Sequence, residues 1–186
     1  LIIDRLDVTD HSQIDQLAEK YATTAIDVLL NNAGISGDTK NQIFGKMNYD
    51  VYNKVLSVNT IGPLKMAEAF YSHVKASEQK KIITVSSSEG SIATADKRGG
   101  GRLFFYRSSK SALNMVMVNL ALQLKSRGVA VGMINPGATD TDFMTGLPFP
   151  LRKTEVAVSD MIRNIDSITV ENTGAYLNYN GKTVPW

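Results

Sequence analysis

The sequence predicts an α/β fold built on a parallel sheet, and three observations lead to that class. Apolar, β-branched runs such as IDVLL at 26–30 and KIITVS at 81–86 are typical of strands covered on both faces. Helical patterns separate these runs, and crossovers between parallel strands need about a dozen residues or more. Polar residues follow the ends of the runs, where sheets of this kind place their ligands.

The same patterns assign the predicted elements along the chain. Asp10 or Thr9 can cap the first helix, and Pro63 is expected to kink or break the second. In order, the predictions are a strand at 2–8, a helix at 10–22, a strand at 26–30, a loop to 47, a helix at 48–76, a strand at 81–86, a polar insert at 94–102, a helix from 106, a strand at 129–135, a loop from 135 to 143, a helix at 154–165 and a strand at 173–181.

Length and composition limit the classes of protein. The 186 residues predict one domain, 1–186, and the 20 basic and 18 acidic side chains give no signature for nucleic acid or an anionic membrane. The chain has no cysteine, and His11 and His73 lack ligand spacing. We therefore expect no metal site and place both histidines on helix surfaces. No run reaches the ~18 apolar residues of a membrane span, and no secretory leader opens the chain, so a cytoplasmic protein is expected.

The candidate chemistry lies between residues 81 and 124. Tyr106 and Lys110 are four apart and share one face of a predicted helix. A free phenol titrates near pH ~10; a nearby cation lowers that pKa, so the pair can donate a proton near pH ~7. Serines 86–88 follow the preceding strand, where a hydroxyl can reach a substrate carbonyl oxygen. From the residues alone, the serines can equally be loop residues, and the tyrosine and lysine can share this spacing by chance.

Five short motifs occur in an order and spacing that resemble the short-chain dehydrogenase/reductase family. They are NNAG at 31–34, VNT at 58–60, VSSSEG at 85–90, YRSSK at 106–110 and NPGATDT at 135–141. Further segments resemble its C-factor-like or sniffer-like carbonyl reductase branch, namely GSIA at 90–93, YRSSKSALNM at 106–115 and YLNYNGKTVPW at 176–186. The resemblance covers essentially the whole chain and implies a Rossmann-like, doubly wound parallel sheet.

The resemblance implies an NAD(P)-dependent enzyme that interconverts a small-molecule carbonyl and an alcohol. Tyr106 would donate the proton, and Lys110 would lower the pKa of the tyrosine and bind the nicotinamide ribose. Ser87 would hold the carbonyl oxygen, with Ser88 as the alternative because the serine run is ambiguous. Asn59 would distort its helix and hold a water against the lysine. By position alone, Asn59 can also be a polar residue on a solvated helix face.

Further positions would contact the cofactor, NADP or NAD. They are Asp7 and Val8 at the adenine, Asn32, Ala33 and Gly34 at the adenine ribose, Tyr106 and Lys110 at the nicotinamide end, and Pro136, Gly137, Thr139 and Thr141 at the carboxamide. Local evidence explains Asp7 equally well as a helix cap, and residues 32–34 can also be a tight turn after a strand. The two threonines can also be caps. The insert at 94–102 would line the substrate mouth, and residues 143–165 would form much of its wall.

The glycine-rich turn that holds a dinucleotide pyrophosphate is not found between a strand and a helix. Gly99–Gly101 lies in the polar insert and predicts a flexible loop. In the family's strand order, residues 2–8 would correspond to the third strand and have no partner in this chain. We therefore expect the first β-α-β portion, about 50 residues, to be missing or disordered. The charges that usually separate NAD from NADP would lie there, so that choice stays open.

The helix after Lys110 is unusually apolar, with nine apolar residues in the twelve of LNMVMVNLALQL. A surface helix should show a polar face, so this helix is either buried or meets a second subunit. The family resemblance favours a homo-oligomer. The C-factor resemblance also raises an alternative function: a cofactor-binding signalling or regulatory protein of the same fold, with little or no turnover.

Overall fold

A computed structural model describes residues 1–97, 101–144 and 150–186. In these ranges four parallel strands form one sheet, in the order of the chain. They are β1 (Val28–Asn31), β2 (Lys81–Val85), β3 (Ala130–Asn135) and β4 (Ala175–Asn178). The predicted α/β class and parallel sheet are confirmed. Because all strands point the same way, the loops after Asn31, Val85 and Asn135 leave from one edge.

Six α-helices accompany the sheet in the described ranges. They are α1 (His11–Lys20), α2 (Tyr49–Leu56), α3 (Gly62–Ala69), α4 (Tyr71–Lys75), α5 (Phe104–Leu124) and α6 (Thr154–Ser167). Asp10 caps α1, its carboxylate accepting the Ser12 and Gln13 amides at 3.0 and 3.2 Å. The predicted break in the second helix lies at a π-helical stretch, Ser57–Ile61, just before Pro63.

Helices cover both faces of the sheet. One core joins the strand residues Ile82, Val131 and Met133 to side chains of α1, α3 and α5. A smaller core on the other side joins Ile83 and Ile134 to the end of α6 and the residues after it. None of the described helices has both the length and the apolar character that crossing a bilayer requires. The described side chains also contain no cluster of three or more His, Cys, Asp or Glu suited to a metal ion.

Residues 2–8 do not form the predicted strand. Ile2 and Ile3 are 75% and 85% exposed, and the segment has no ladder partner among the described residues. An alternating pattern cannot supply the neighbouring backbone that a strand's N–H and C=O groups require. Local contacts hold the segment instead, since Asp4 pairs with Lys20 and Tyr21 at the end of α1.

Two predictions of burial are wrong. The strand at 26–30 was expected to be covered on both faces, but Leu30 is 41% exposed while Leu29 is buried. His73 was placed on a helix surface, yet it is only 5% exposed. Its Nε2 lies 3.0 Å from the Ala18 carbonyl oxygen, so the ring bridges α4 to α1. The polar ring is buried because it has this partner.

Candidate active site

The chain delivers the candidate residues from β2 and α5. Ser87 follows the end of β2 in an extended conformation, with φ −151° and ψ 143°. Tyr106 lies in the first turn of α5 and Lys110 in the second. The buried Gln42 side chain accepts the Phe105 amide at 2.8 Å and so satisfies one of the free N–H groups at the start of α5.

The structure brings Ser87, rather than its neighbours, to Tyr106. The Ser87 hydroxyl and the Tyr106 phenol are hydrogen-bonded to each other. The Ser87 oxygen also accepts the Glu89 amide at 3.2 Å, which fixes its direction. Ser86 is buried and donates to Asn114 at 2.6 Å. Ser88 begins the short 3-10 turn that follows.

Lys110 lies beneath the tyrosine. Its ammonium donates to the Val85 carbonyl oxygen at 2.9 Å and lies 5.8 Å from the centroid of the Tyr106 ring. The side chain is only 4% exposed, and this burial lowers the pKa of Lys110 to about 8. At pH 7 the group is therefore still mainly an ammonium.

The direction of the Tyr106 pKa differs from the expectation. Burial of the phenol, opposed by the hydrogen bond from Ser87, raises the pKa of Tyr106 to about 12. The negative charge of Glu89 acts in the same direction as burial. The cation was expected to lower this pKa, but the desolvation of the phenolate is the largest effect and raises it.

Asn59 lies inside the π-helical stretch and is fully buried. Its amide donates to the Ile35 carbonyl oxygen at 2.8 Å and to Ser109 Oγ at 2.9 Å, and its oxygen accepts the Ile35 amide at 2.9 Å. The alternative of a solvated helix face is therefore wrong. A Cβ at Gly34 would lie 3.5 Å from Asn59 Oδ1 and 3.6 Å from Lys110 Nζ, so both groups meet at this glycine.

The adenine-side candidates lie along the open edge of β1. A cavity of about 220 Å³ is lined by Leu6, Val8, Leu30, Asn31, Asn32, Ala33, Val58, Pro63 and Met66. Val8 is held against the start of α3, where a Cβ on Gly62 would approach the Val8 carbonyl oxygen to 3.0 Å. Asp7 accepts the Thr9 amide at 2.9 Å and its hydroxyl at 2.7 Å, and these bonds lower the pKa of Asp7. It closes a turn there, and the cap of α1 is Asp10.

The loop after β3 forms a third group. Gly137 has φ +76°, and a Cβ there would meet the Tyr179 ring at 2.9 Å, so the turn requires glycine. The Arg152 guanidinium donates to the Pro136 carbonyl oxygen at 2.6 Å. The threonine hydroxyls bond within the loop, Thr139 to the Gly137 carbonyl oxygen at 3.3 Å and Thr141 to the Thr139 carbonyl oxygen at 3.4 Å.

The candidates therefore fall into one tight cluster and two flanking groups. Ser87, Tyr106, Lys110, Asn59 and Gly34 come together, while the β1 edge and the loop after β3 lie to either side. The last group reaches the cluster through Phe143, whose ring centroid lies 5.5 Å from that of Tyr106. The predictions for residues 98–100 of the insert, Gly99 and Gly100 among them, and for residues 145–149 of the substrate wall fall outside the described residues.

Sequence reasoning missed several side chains around this cluster. They are Gln42, Glu89, Ser109, Phe143 and Tyr176. Most of these residues contact partners that are distant in the sequence, and the sequence motifs assigned none of them a role. Only the residue types could have hinted at a role.

The cluster fits a nicotinamide cofactor. An ammonium carries three protons, and in the described part of the chain Lys110 donates one, to Val85. Gly34 itself adds no side chain here, where a Cβ would lie 3.6 Å from this ammonium. A nicotinamide ring and its ribose would fit here. Lys110 offers a charged donor, Gly34 allows close approach, and the Ser87–Tyr106 pair lies beside them.

Comparison with known proteins agrees with the fold and the motifs. The sequence model of the short chain dehydrogenase family matches residues 1–148. The chain is 32% identical over 169 residues to the C-signal of Myxococcus xanthus, covering 91% of this chain and 98% of that protein. The NADPH-bound carbonyl reductase from chicken fatty liver superposes with a TM-score of 0.89 at 28% identity, over 100% of this chain and 77% of that one. The carbonyl reductase Sniffer of D. melanogaster superposes with a TM-score of 0.87 at 26% identity, over 99% of this chain and 77% of that one.

These comparisons define an NAD(P)-dependent oxidoreductase with a Rossmann-like parallel sheet. The chain belongs to the short-chain dehydrogenase/reductase family and is similar to its C-factor-like and sniffer-like members.

Proposed function

We propose that this protein reduces a small-molecule carbonyl to an alcohol, with Tyr106 as the proton donor. The observation that carries the proposal is the Ser87–Tyr106 hydrogen bond above the buried Lys110 ammonium. A nicotinamide cofactor, NADP or NAD, would supply the hydride when bound. The chain's own residues would orient the carbonyl and provide the proton.

Ser87 would bind the carbonyl oxygen. Its own oxygen accepts the Glu89 amide, and its proton, which is donated to the Tyr106 phenol oxygen, would turn to the carbonyl oxygen when substrate binds. A hydroxyl held by a backbone amide is preorganised, and a donor fixed in this way stabilises charge that develops on an oxygen. Tyr106, bonded to the same hydroxyl, is within reach of that oxygen.

The high pKa of Tyr106 favours the reductive direction. An alkoxide resembles hydroxide in basicity, and water has a pKa of ~15.7. A phenol with a pKa of about 12 is therefore protonated at neutral pH and still the stronger acid of the two. Oxidation of an alcohol would need the phenolate, which is scarce under the same conditions.

Lys110 and Asn59 would support the proton transfer. The ammonium stabilises negative charge on the phenol oxygen after the proton has left. Asn59 Oδ1 lies on the same side of Gly34 as the ammonium, so a water held there could return a proton to the pair. This assigns Asn59 a positioning role.

The surface near Tyr106 suits an apolar substrate. Phe143 lies beside the tyrosine ring and is 45% exposed, and Ile92, just beyond the Ser87 turn, is 76% exposed. We therefore expect aldehydes and ketones with apolar substituents to react better than charged ones.

Oxidation of NADPH and NADH, followed by the loss of their absorbance with a panel of aldehydes, ketones and quinones, tests the proposal. The expected result is saturable turnover with at least one apolar carbonyl. Tyr71→Phe is the matched control for Tyr106→Phe, because the Tyr71 hydroxyl is buried and has no hydrogen-bond partner among the described residues. Cofactor binding without turnover on any carbonyl would contradict the proposal.

A second candidate function is signalling or regulation with little turnover. It is favoured by one observation, the similarity to the C-signal over 98% of that protein. The same assay separates the two functions, since a regulatory protein would bind the cofactor but fail to consume it.

We also propose that the chain forms a homo-oligomer through α5. Leu113, Met117 and Ala121 of this helix are buried, whereas Met115 and Leu122 are 63% and 71% exposed. These two residues lie seven apart on the same face, which is an apolar stripe that a second copy would cover.

A further inference from the structure

Tyr176 contacts the backbone of Ser87 from β4, which lies two strands away from β2 in the sheet. It lies on β4, is 1% exposed, and its hydroxyl donates to the Ser87 carbonyl oxygen. The two residues are 89 positions apart in the chain. This contact therefore ties the last strand of the sheet to the turn that carries the candidate serine.

The Ser87 turn is also tied to α5, where Ser111 and Asn114 donate to the Gly90 carbonyl oxygen at 2.9 and 3.4 Å and Arg107 pairs with Glu89 at 3.5 Å. The Ser87 carbonyl oxygen accepts the Gly90 amide at 2.8 Å, and its side-chain oxygen accepts the Glu89 amide at 3.2 Å. Both donors belong to the same short turn, so neither fixes the turn relative to the sheet. Tyr176 supplies a donor from a different element, in a sheet whose register is set by pairing with β3.

Tyr176 is itself held in place. Its ring stacks on Trp186, with centroids 5.3 Å apart and the planes 30° from each other. The Trp186 carbonyl oxygen accepts the Ala93 amide at 2.6 Å, just beyond the Ser87 turn. The same closing segment thus supports Tyr176 and the residues that follow the serine.

We infer that Tyr176 is a positioning residue, which holds the Ser87 backbone so that the serine hydroxyl reaches Tyr106 and the substrate oxygen. The inference rests on the proposed function, because Ser87 is taken as the group that binds the carbonyl. Tyr176 would act through Ser87 and need not touch the substrate. Displacement of a catalytic group by about 1 Å can cost up to about 100-fold in rate.

A double-mutant cycle with Tyr176→Phe and Ser87→Ala tests this role. Tyr176→Phe removes only the hydroxyl and keeps the ring on Trp186. We expect it to lower kcat about tenfold while the Kd for the cofactor stays within about twofold. In the Ser87→Ala background the same change should lower kcat by less than about twofold, because the group it positions is gone. An equal loss in both backgrounds would overturn the inference.

Hydrogen exchange gives a readout that does not need turnover. In Tyr176→Phe the amides of residues 87–91 should exchange at least about fivefold faster, while those in the middle of α5 should not change. Tyr71→Phe, which removes a buried hydroxyl elsewhere, should alter neither. If the wild-type protein reduces no carbonyl, the proposed function fails and the exchange result alone decides whether Tyr176 holds the turn. Unchanged exchange at 87–91 would overturn the inference whatever the turnover.

Discussion

The buried Lys110 ammonium lies 5.8 Å from the centroid of the half-buried Tyr106 ring, and burial shifts the pKa of each group in the direction that favours its neutral form. The pKa of Lys110 is lowered to about 8, and that of Tyr106 is raised to about 12. Lys110 therefore loses its proton more easily than an ordinary lysine, and Tyr106 loses its proton less easily than an ordinary tyrosine. Each can be tested separately.

Lys110 should make the free energy of unfolding depend on pH. Its pKa is about 8 in the folded chain, against an ordinary value of 10.5, so between these values the unfolded chain binds more protons. Stability from this group must then rise with pH, by about 2 kcal/mol between pH ~8 and ~10. Urea unfolding of wild type and Lys110→Met across this range measures the difference. The variant should lose that rise, and parallel curves for the two proteins would contradict the prediction.

Reduction should slow as Lys110 loses its proton. The ammonium stabilises the phenolate left by proton transfer, so kcat should be level below pH ~7 and fall as the pH rises through about 8. The measurement is a pH profile of kcat at saturating cofactor and carbonyl. A profile that stays flat to pH ~10 would show that the charge on Lys110 is not needed.

Asn59 should matter for stability as well as for turnover. Asn59→Ala leaves the half-buried amide and carbonyl of Ile35 without their partner, which should cost about 2 kcal/mol in the free energy of unfolding. Ser109→Ala removes only one bond to the same side chain and should cost about 1 kcal/mol. Chemical denaturation compares them. Equal losses would mean that the two Ile35 bonds contribute nothing.

The exposed stripe on α5 should govern association. Met115→Lys with Leu122→Glu places charges on residues that are 63% and 71% exposed, so folding of a single copy should hardly change. Light scattering after gel filtration should show an oligomer for the wild type and a smaller species for the double variant. Gln123→Glu, an exposed change on the same helix, is the control. A wild-type monomer would remove the proposed interface.

Much of the fold could be predicted because its signals are local. The buried runs that became β2 and β3 are continuous and β-branched, and Asp10 caps the first helix at the expected place. Residues 2–8 have the local pattern of a strand but lack a partner strand, and pairing is not a local property. The burial of His73 likewise depends on an acceptor 55 positions away.

The candidate site divides in the same way. Tyr106, Lys110 and Ser87 could be chosen from spacing and motif, and the structure brings the three side chains together. The direction of the Tyr106 pKa could not be predicted, because desolvation depends on the protein packed around the phenol. Tyr176 could not be found either, since its contact with Ser87 spans two crossovers of the sheet.

The central claim is that Tyr106 donates the proton, and Tyr106→Phe tests it most directly. Single-turnover oxidation of bound cofactor by a reactive carbonyl should fall by at least about 100-fold, while the Kd for the cofactor stays within about twofold. Ser87 and Lys110 remain in this variant, so the loss would belong to the phenol hydroxyl. Turnover retained at the wild-type rate would contradict the account.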